Sequence, residues 1–247
     1  MDPGVLLFVI AVVLVASTAQ TVAGFGFALI AVPFLVTVLD VRDTIVVATI
    51  LGISNALLVQ RSAWRHTPRP TVTAMLAGSF AGMPLGLLVL LYAPQDAIRL
   101  AVGIASIAMA VAIVAGVTVT ASGRTPEVIA GMISGTLNTS VGMNGPPVVL
   151  YLQNQRLTPQ AFRAALSAFF LVTNGFTLVL LLVTGVVTRD ATLLALAALP
   201  CTFIGSVLGH AMLPRLGAET FRRLVLGLLV VTSLGAVASA LARIAAN

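Results

Sequence analysis

Two short stretches hold most of the residues able to do chemistry. One runs Asn138-Thr139-Ser140-Val141-Gly142-Met143-Asn144-Gly145-Pro146-Pro147, and the other places Gln20 and Thr21 just ahead of Ala23-Gly24-Phe25-Gly26. Amides and hydroxyls donate hydrogen bonds, and glycine lets a solute approach backbone N–H groups closely. Neutral donors gathered in this way suit a small anion. The candidate binding residues are Gln20, Thr21, Gly24, Gly26, Asn138, Thr139, Ser140, Gly142, Asn144 and Gly145.

Four further residues are accessory candidates. Asn55 and Asn174 sit in the helix that follows each stretch, Arg163 lies about one turn into its helix, and His210 ends an apolar run where a neutral imidazole would accept a proton. Each has a plainer alternative. Asn, Ser and Thr tie helices together, a long Arg side chain snorkels to the membrane interface, and His210 stands close to Pro214 and Arg215 at a helix end. For the isolated Gly-x-x-x-Gly spacings at Gly82 and Gly205, close helix packing is the expected role.

Catalytic sets are missing from the sequence. His66 falls among Arg61, Arg65 and Arg69, His210 has no nearby carboxylate, and no nucleophile elbow, zinc-protease motif or P-loop occurs. Cys201 has neither a disulfide partner nor neighbouring metal ligands. The expectation is a protein that is not an enzyme, with no cofactor and no metal.

The elements that must position these residues are membrane helices. Of 247 residues, 59% are hydrophobic and 8% are charged, against roughly a quarter charged in a soluble domain. All 13 basic residues are Arg, and they cluster in short gaps between apolar runs, which favours membrane topology over nucleic acid as their explanation. The apolar stretch after Asp2 lacks the basic start of a signal peptide, so it is read as a retained first helix.

Apolar segments are predicted at 4–39, 44–60, 70–92 and 96–118, then at 126–153, 160–187, 191–213 and 220–242. A continuous helix over 4–39 would be roughly 50 Å long, beyond a hydrocarbon core of about 30 Å. The glycine pair near 24 and the Gly-Pro-Pro cluster near 145 therefore break two of these segments into hairpins.

The two halves match in order and spacing. Thr21-Val-Ala-Gly24 pairs with Thr139-Ser-Val-Gly142, Gly82-Met-Pro-Leu-Gly86 with Gly205-Ser-Val-Leu-Gly209, and Arg99-Leu-Ala-Val-Gly103 with Arg223-Leu-Val-Leu-Gly227. This predicts a first repeat over 1–122 and a second over 123–247. Arg61, Arg65 and Arg69 mark a cytoplasmic loop, as do Arg124 and Arg156, so the 126–153 segment must enter and leave by one face. Five segments per half then give inverted repeats, each a hairpin plus three spanning helices, with both termini outside.

The segments Gly24-Phe-Gly-Phe-Ala-Leu-Ile-Ala-Val-Pro33 and Gly135-Thr-Leu-Asn-Thr-Ser-Val-Gly-Met-Asn-Gly-Pro-Pro147, in two halves of one chain, resemble the sulfite exporter TauE/SafE family of membrane permeases. The resemblance covers essentially the whole chain. It implies a small sulfur-containing oxyanion, sulfite or an organosulfonate, as substrate and the bacterial cytoplasmic membrane as location.

The expected function is a secondary transporter, an exporter working by alternating access between the two hairpin tips. A passive anion channel and a membrane subunit of a larger complex stand as alternatives. The expected partners are the anionic solute and the lipid bilayer, not nucleic acid, with a homodimer left open.

Overall fold

The structure, a computed structural model, describes residues 3–115, 117 and 121–212. The predicted helix at 220–242 and residues Arg215, Arg222 and Arg223 lie outside the described residues. Every described element is helical: α1 (Pro3–Ala23), α2 (Phe27–Val38), α3 (Val41–Ala63), a 3-10 turn at Trp64–His66, α4 (Arg69–Tyr92), α5 (Gln95–Val114), α6 (Arg124–Val141), α7 (Gly145–Gln153), α8 (Pro159–Val183) and α9 (Arg189–Met212). Six of these, α1, α3, α4, α5, α8 and α9, are long and apolar enough to cross a membrane.

Both predicted hairpin segments are broken where glycine adopts a left-handed backbone that other residues rarely take. Gly24 and Gly26 have φ of +83° and +113°, and Gly142 has φ of +73°. The second break is narrower than the Asn138–Pro147 run suggested, because α6 continues through Val141 and α7 begins at Gly145. Thr139 and Ser140 stay helical by donating their hydroxyls to the carbonyls of Gly135 and Thr136, at 3.1 and 2.7 Å.

The two limbs of each hairpin differ in length. The first limbs have 21 and 18 residues and the second limbs 12 and 9, or about 31, 27, 18 and 14 Å at 1.5 Å per residue. Each short limb folds back along its long one. Phe34 of α2 meets Phe8 of α1 ring to edge at 6.3 Å, and the Tyr151 hydroxyl near the end of α7 donates to Gly123 O and Glu127 Oε1 at the start of α6, at 3.5 and 3.4 Å.

Two interfaces assemble the bundle, and both are lined by small residues. Along α4, a Cβ at Gly78, Gly82 or Gly86 would collide with the carbonyl oxygens of Val128, Met132 and Thr136 of α6, while Gly131 and Gly135 meet Met75 and Ser79 in return. Between α9 and α1, a Cβ at Gly205 would lie 2.8 Å from Leu14 O and one at Gly209 would lie 2.9 Å from Thr18 O. Lipid tails are as apolar as leucine, so association depends on close backbone approach, which glycine permits.

The two interfaces correspond residue by residue. Gly82 meets Met132 where Gly205 meets Leu14, and Gly86 meets Thr136 and Thr139 where Gly209 meets Thr18 and Thr21, a constant offset of 118 positions among the partners. Hydroxyl bonds repeat the same way: Thr18 to Leu14 O and Thr136 to Met132 O, then Thr21 to Ser17 O and Thr139 to Gly135 O.

α3 and α8 run antiparallel through the middle. Ser167 Oγ donates to Gln60 Oε1 at 2.6 Å, while Gly52 sits beside Asn174 one to two turns away. Since α4 and α6 are parallel, Arg61, Arg69, Arg124 and Arg163 all gather at one end of the bundle. At the other end, Thr188 donates to Asp43 Oδ1 and Arg42 to Leu91 O. The dry core between these ends includes Ile30, Leu35, Val46, Leu51, Met143 and Phe169, all essentially inaccessible.

Candidate functional site

The two glycine turns face each other across a small cavity at mid-bundle. Gln20, Gly26, Phe27, Ala28 and Leu29 line it from the first hairpin and Gly142, Asn144 and Gly145 from the second; Ala48, Thr49 and Gly52 of α3 and Phe170 and Asn174 of α8 close it. Among the described residues, no lining side chain is charged. Its volume of about 20 Å³ holds roughly one water.

Two helix N-termini open onto this space. In α2 the first ladder bond runs from Ile30 N–H to Gly26 O at 3.0 Å, so Phe27, Ala28 and Leu29 have no acceptor within the helix. At α7, Pro146 and Pro147 carry no N–H, which leaves Gly145 as the donor of that first turn. Neither terminus is capped by its own side chain: Gly26 has none, and the Asn144 amide points to α8 instead. The partial positive charge of both helix ends is therefore available to a guest.

Side chains complete the lining. Gln20 is 4% exposed, and its amide makes no hydrogen bond among the described residues. Asn144 Nδ2 donates to Thr173 Oγ1 at 3.2 Å and to Asn174 Oδ1 at 3.1 Å, and its carbonyl accepts from Ser134 Oγ. Having given its oxygen to Asn144, Asn174 keeps Nδ2 as donor, and that atom occupies the space a Cβ at Gly52 would need, 2.8 Å away.

Other candidates are placed elsewhere. Asn138 Nδ2 donates to Thr177 Oγ1 at 2.8 Å, joining α6 to α8. Thr139 donates to Met83 O at 2.8 Å and so serves the α4–α6 interface, while Ser140 donates to Thr136 O within its own helix. Asn55 Nδ2 donates to Ser17 Oγ at 3.3 Å and to Leu51 O at 3.0 Å, tying α3 to α1.

Thr21, Gly24, Arg163 and His210 meet around a separate cavity of about 170 Å³ on the arginine-bearing side, together with Leu58, Val59, Ala63, His66 and Gln160. The Arg163 stem lies against Gly24, within 2.8 Å of where a Cβ would stand. His210 Nδ1 is 2.8 Å from Ser206 O.

Sequence reading missed Thr49, Gly52, Phe170 and Thr173. Thr49, Gly52 and Phe170 belong to no polar or glycine-rich run, whereas Thr173 adjoins Asn174 and Gly175. The available signal was spacing: Thr49 and Gly52 precede Asn55 by six and three positions, so they share a helical stripe near it.

Comparison with known proteins adds the family. The sequence model of a family described as Sulfite exporter TauE/SafE matches residues 9–236. A protein of Cupriavidus necator described as "Probable sulfite/organosulfonate exporter TauE" is 24% identical over 218 residues, 85% of this chain and 85% of that one. No solved structure matches.

Proposed function

The chain belongs to the sulfite exporter TauE/SafE family, and from that premise we propose that it is a secondary transporter exporting a small sulfur-containing anion, sulfite or an organosulfonate, through the cavity between the two glycine turns. The observation that carries this reading is the convergence of two helix N-termini without side-chain caps, at Gly26 and Gly145, beside the buried Gln20 side chain.

Each helix end acts as roughly half a positive charge. Two ends, with the Phe27, Ala28, Leu29 and Gly145 N–H groups and the Gln20, Thr49 and Asn174 side chains, offer an oxyanion several donors at once. A full Arg charge at that depth would be costly when the anion has left. Neutral donors bind the guest without leaving an uncompensated cation behind.

The matched α4–α6 and α1–α9 interfaces support a duplication whose halves, 1–122 and 123–247, are inverted repeats. In this arrangement the long hairpin limb of each repeat packs against the second spanning helix of the other. Alternating access follows from rocking these two cross-linked units about α3 and α8, which separates the turns and opens the cavity to one face at a time. The end bearing Arg61, Arg69, Arg124 and Arg163 lies in the cytosol by the distribution of positive charge, with both chain termini on the opposite face.

Sulfite flux in proteoliposomes tests the proposal. Saturable flux, with counterflow against unlabelled sulfite, is the expected result. Linear flux without counterflow would make the protein a channel, and no flux of sulfite or of any sulfonate would remove the reading.

A further inference from the structure

A groove of about 750 Å³ opens at the arginine-bearing end, between α3, the 3-10 turn and α8, and shares no residue with the central cavity. Its chemistry is layered. Arg61, Trp64 and Arg65 form the outer part, while Leu57, Leu58 and Leu171 form the inner part. Leu57 and Leu58 precede Arg61 by four and three positions, which places them one turn deeper on the same helix face. α8 runs antiparallel to α3 and Ser167 bonds Gln60, so Leu171, one turn beyond Ser167, lies at about the depth of Leu57. Charge thus sits outside and hydrocarbon inside, the order in which a phospholipid presents its phosphate and its chains.

We propose that this groove binds one anionic glycerophospholipid of the surrounding bilayer, with its phosphate between Arg61 and Arg65 and an acyl chain along Leu57 and Leu171. The inference stands apart from the transport reading, since it concerns the lipid-facing side of α3 and not the solute path. Three observations carry it. Arg61 and Arg65 are both exposed, and among the described residues no acidic side chain lines the groove; guanidinium groups recognise phosphate through paired N–H donors. Trp64 and Leu57 are 59% and 51% exposed, so the groove opens toward the bilayer at the headgroup level, where tryptophan is enriched. Arg69 Cζ stands 5.9 Å from the Trp64 ring centroid, which brings a third positive charge beside the groove and steadies the indole.

The groove is also preformed. Gln60 at its base accepts from Ser167 through Oε1 and donates through Nε2 to Thr67 Oγ1 at 3.2 Å, so α3, α8 and the chain after the 3-10 turn are held together behind it. A zwitterionic lipid would bring an ammonium group for which the groove supplies no carboxylate. A soluble oxyanion would leave Leu57, Leu58 and Leu171 uncovered. An anionic lipid matches both layers.

Trp64 is the sole tryptophan, so its quenching by brominated acyl chains reads this groove directly. The full-length protein is placed in phosphatidylcholine vesicles containing a small fraction of brominated phosphatidylglycerol or, separately, of brominated phosphatidylcholine. Phosphatidylglycerol should be favoured by roughly tenfold or more, since each Arg near a membrane surface contributes about fivefold toward an anionic lipid, and its quenching should saturate at a low mole fraction. Arg61→Gln combined with Arg65→Gln, both at exposed positions, should bring the two lipids to equality. Arg189→Gln, exposed at the opposite end of the bundle, should leave the preference unchanged.

Equal quenching by the two lipids in the wild type, a preference that survives the double substitution, or quenching that rises only in proportion to mole fraction overturns the site. Inorganic phosphate, at ionic strength matched with sodium chloride, should not displace the brominated lipid. Full displacement would make the groove a site for a soluble anion and overturn the lipid assignment.

Discussion

Asn144, in the turn between α6 and α7, donates through Nδ2 to Asn174 Oδ1 of α8 at 3.1 Å. The bond orients the second amide as well as the first, because an oxygen engaged by Asn144 leaves Asn174 Nδ2 as the group facing Gly52 and the cavity. A turn residue and a residue in the middle of a helix are thus one device for presenting a donor.

Replacing Asn144 with Leu should lower sulfite flux by about tenfold or more, the scale of losing hydrogen bonds to a charged guest. Assembly should survive, as judged by monodispersity in detergent. Flux equal to wild type would exclude Asn144 from the site.

Asn138→Leu should behave differently. Its amide bonds Thr177 and does not line the cavity, so the expected effect is about 1–3 kcal/mol of stability, read as a lower melting temperature. The substrate concentration for half-maximal flux should not move.

Gly52→Ala separates fit from folding. The position is helical, where alanine is favoured over glycine by roughly 0.5–1 kcal/mol, yet the new methyl would displace Asn174 Nδ2. Melting temperature should hold or rise while sulfite affinity falls.

Alanine at the packing glycines should show a graded cost. At Gly82 a Cβ collides with the Met132 carbonyl, whereas at Gly205 it lies 2.7 Å from Ser17 Cβ and 2.8 Å from Leu14 O. Overpacking of this kind costs about 1–3 kcal/mol, so G82A should melt lower than G205A, and both below wild type. A reversed order would contradict the interface geometry.

Membrane-impermeant labelling of single introduced cysteines, in a background with Cys201 replaced, addresses orientation. Positions in the Arg61–Arg69 loop should be protected in intact cells and positions beside Arg189 and Asp190 should be labelled. The opposite pattern would invert the assignment of faces.

Much of this architecture was legible from local chemistry. Hydropathy marks helices because a bilayer forces every backbone group to bond internally, and the breaks at Gly24–Gly26 and Gly142 follow from backbone angles that glycine tolerates. The Thr21 and Thr139 motifs, paired in sequence, stand at matching places in the two glycine interfaces, Thr21 beside Gly209 and Thr139 beside Gly86.

Which polar side chains face the cavity was not legible, since that depends on how each helix is rotated about its own axis. One residue along a helix turns the side chain by about 100°: Gln20 points into the cavity, and Thr21 beside it turns to Gly209 and the separate cavity that Arg163 lines. The same rotation sends Asn138 and Thr139 to neighbouring helices and brings Thr49, Gly52 and Asn174 in from α3 and α8. The amino-acid order alone determined that the chain is helical, apolar and twice broken at glycine. Only tertiary packing decided which donors meet, because the glycine faces that set each helix's rotation act between segments some 50 to 190 residues apart.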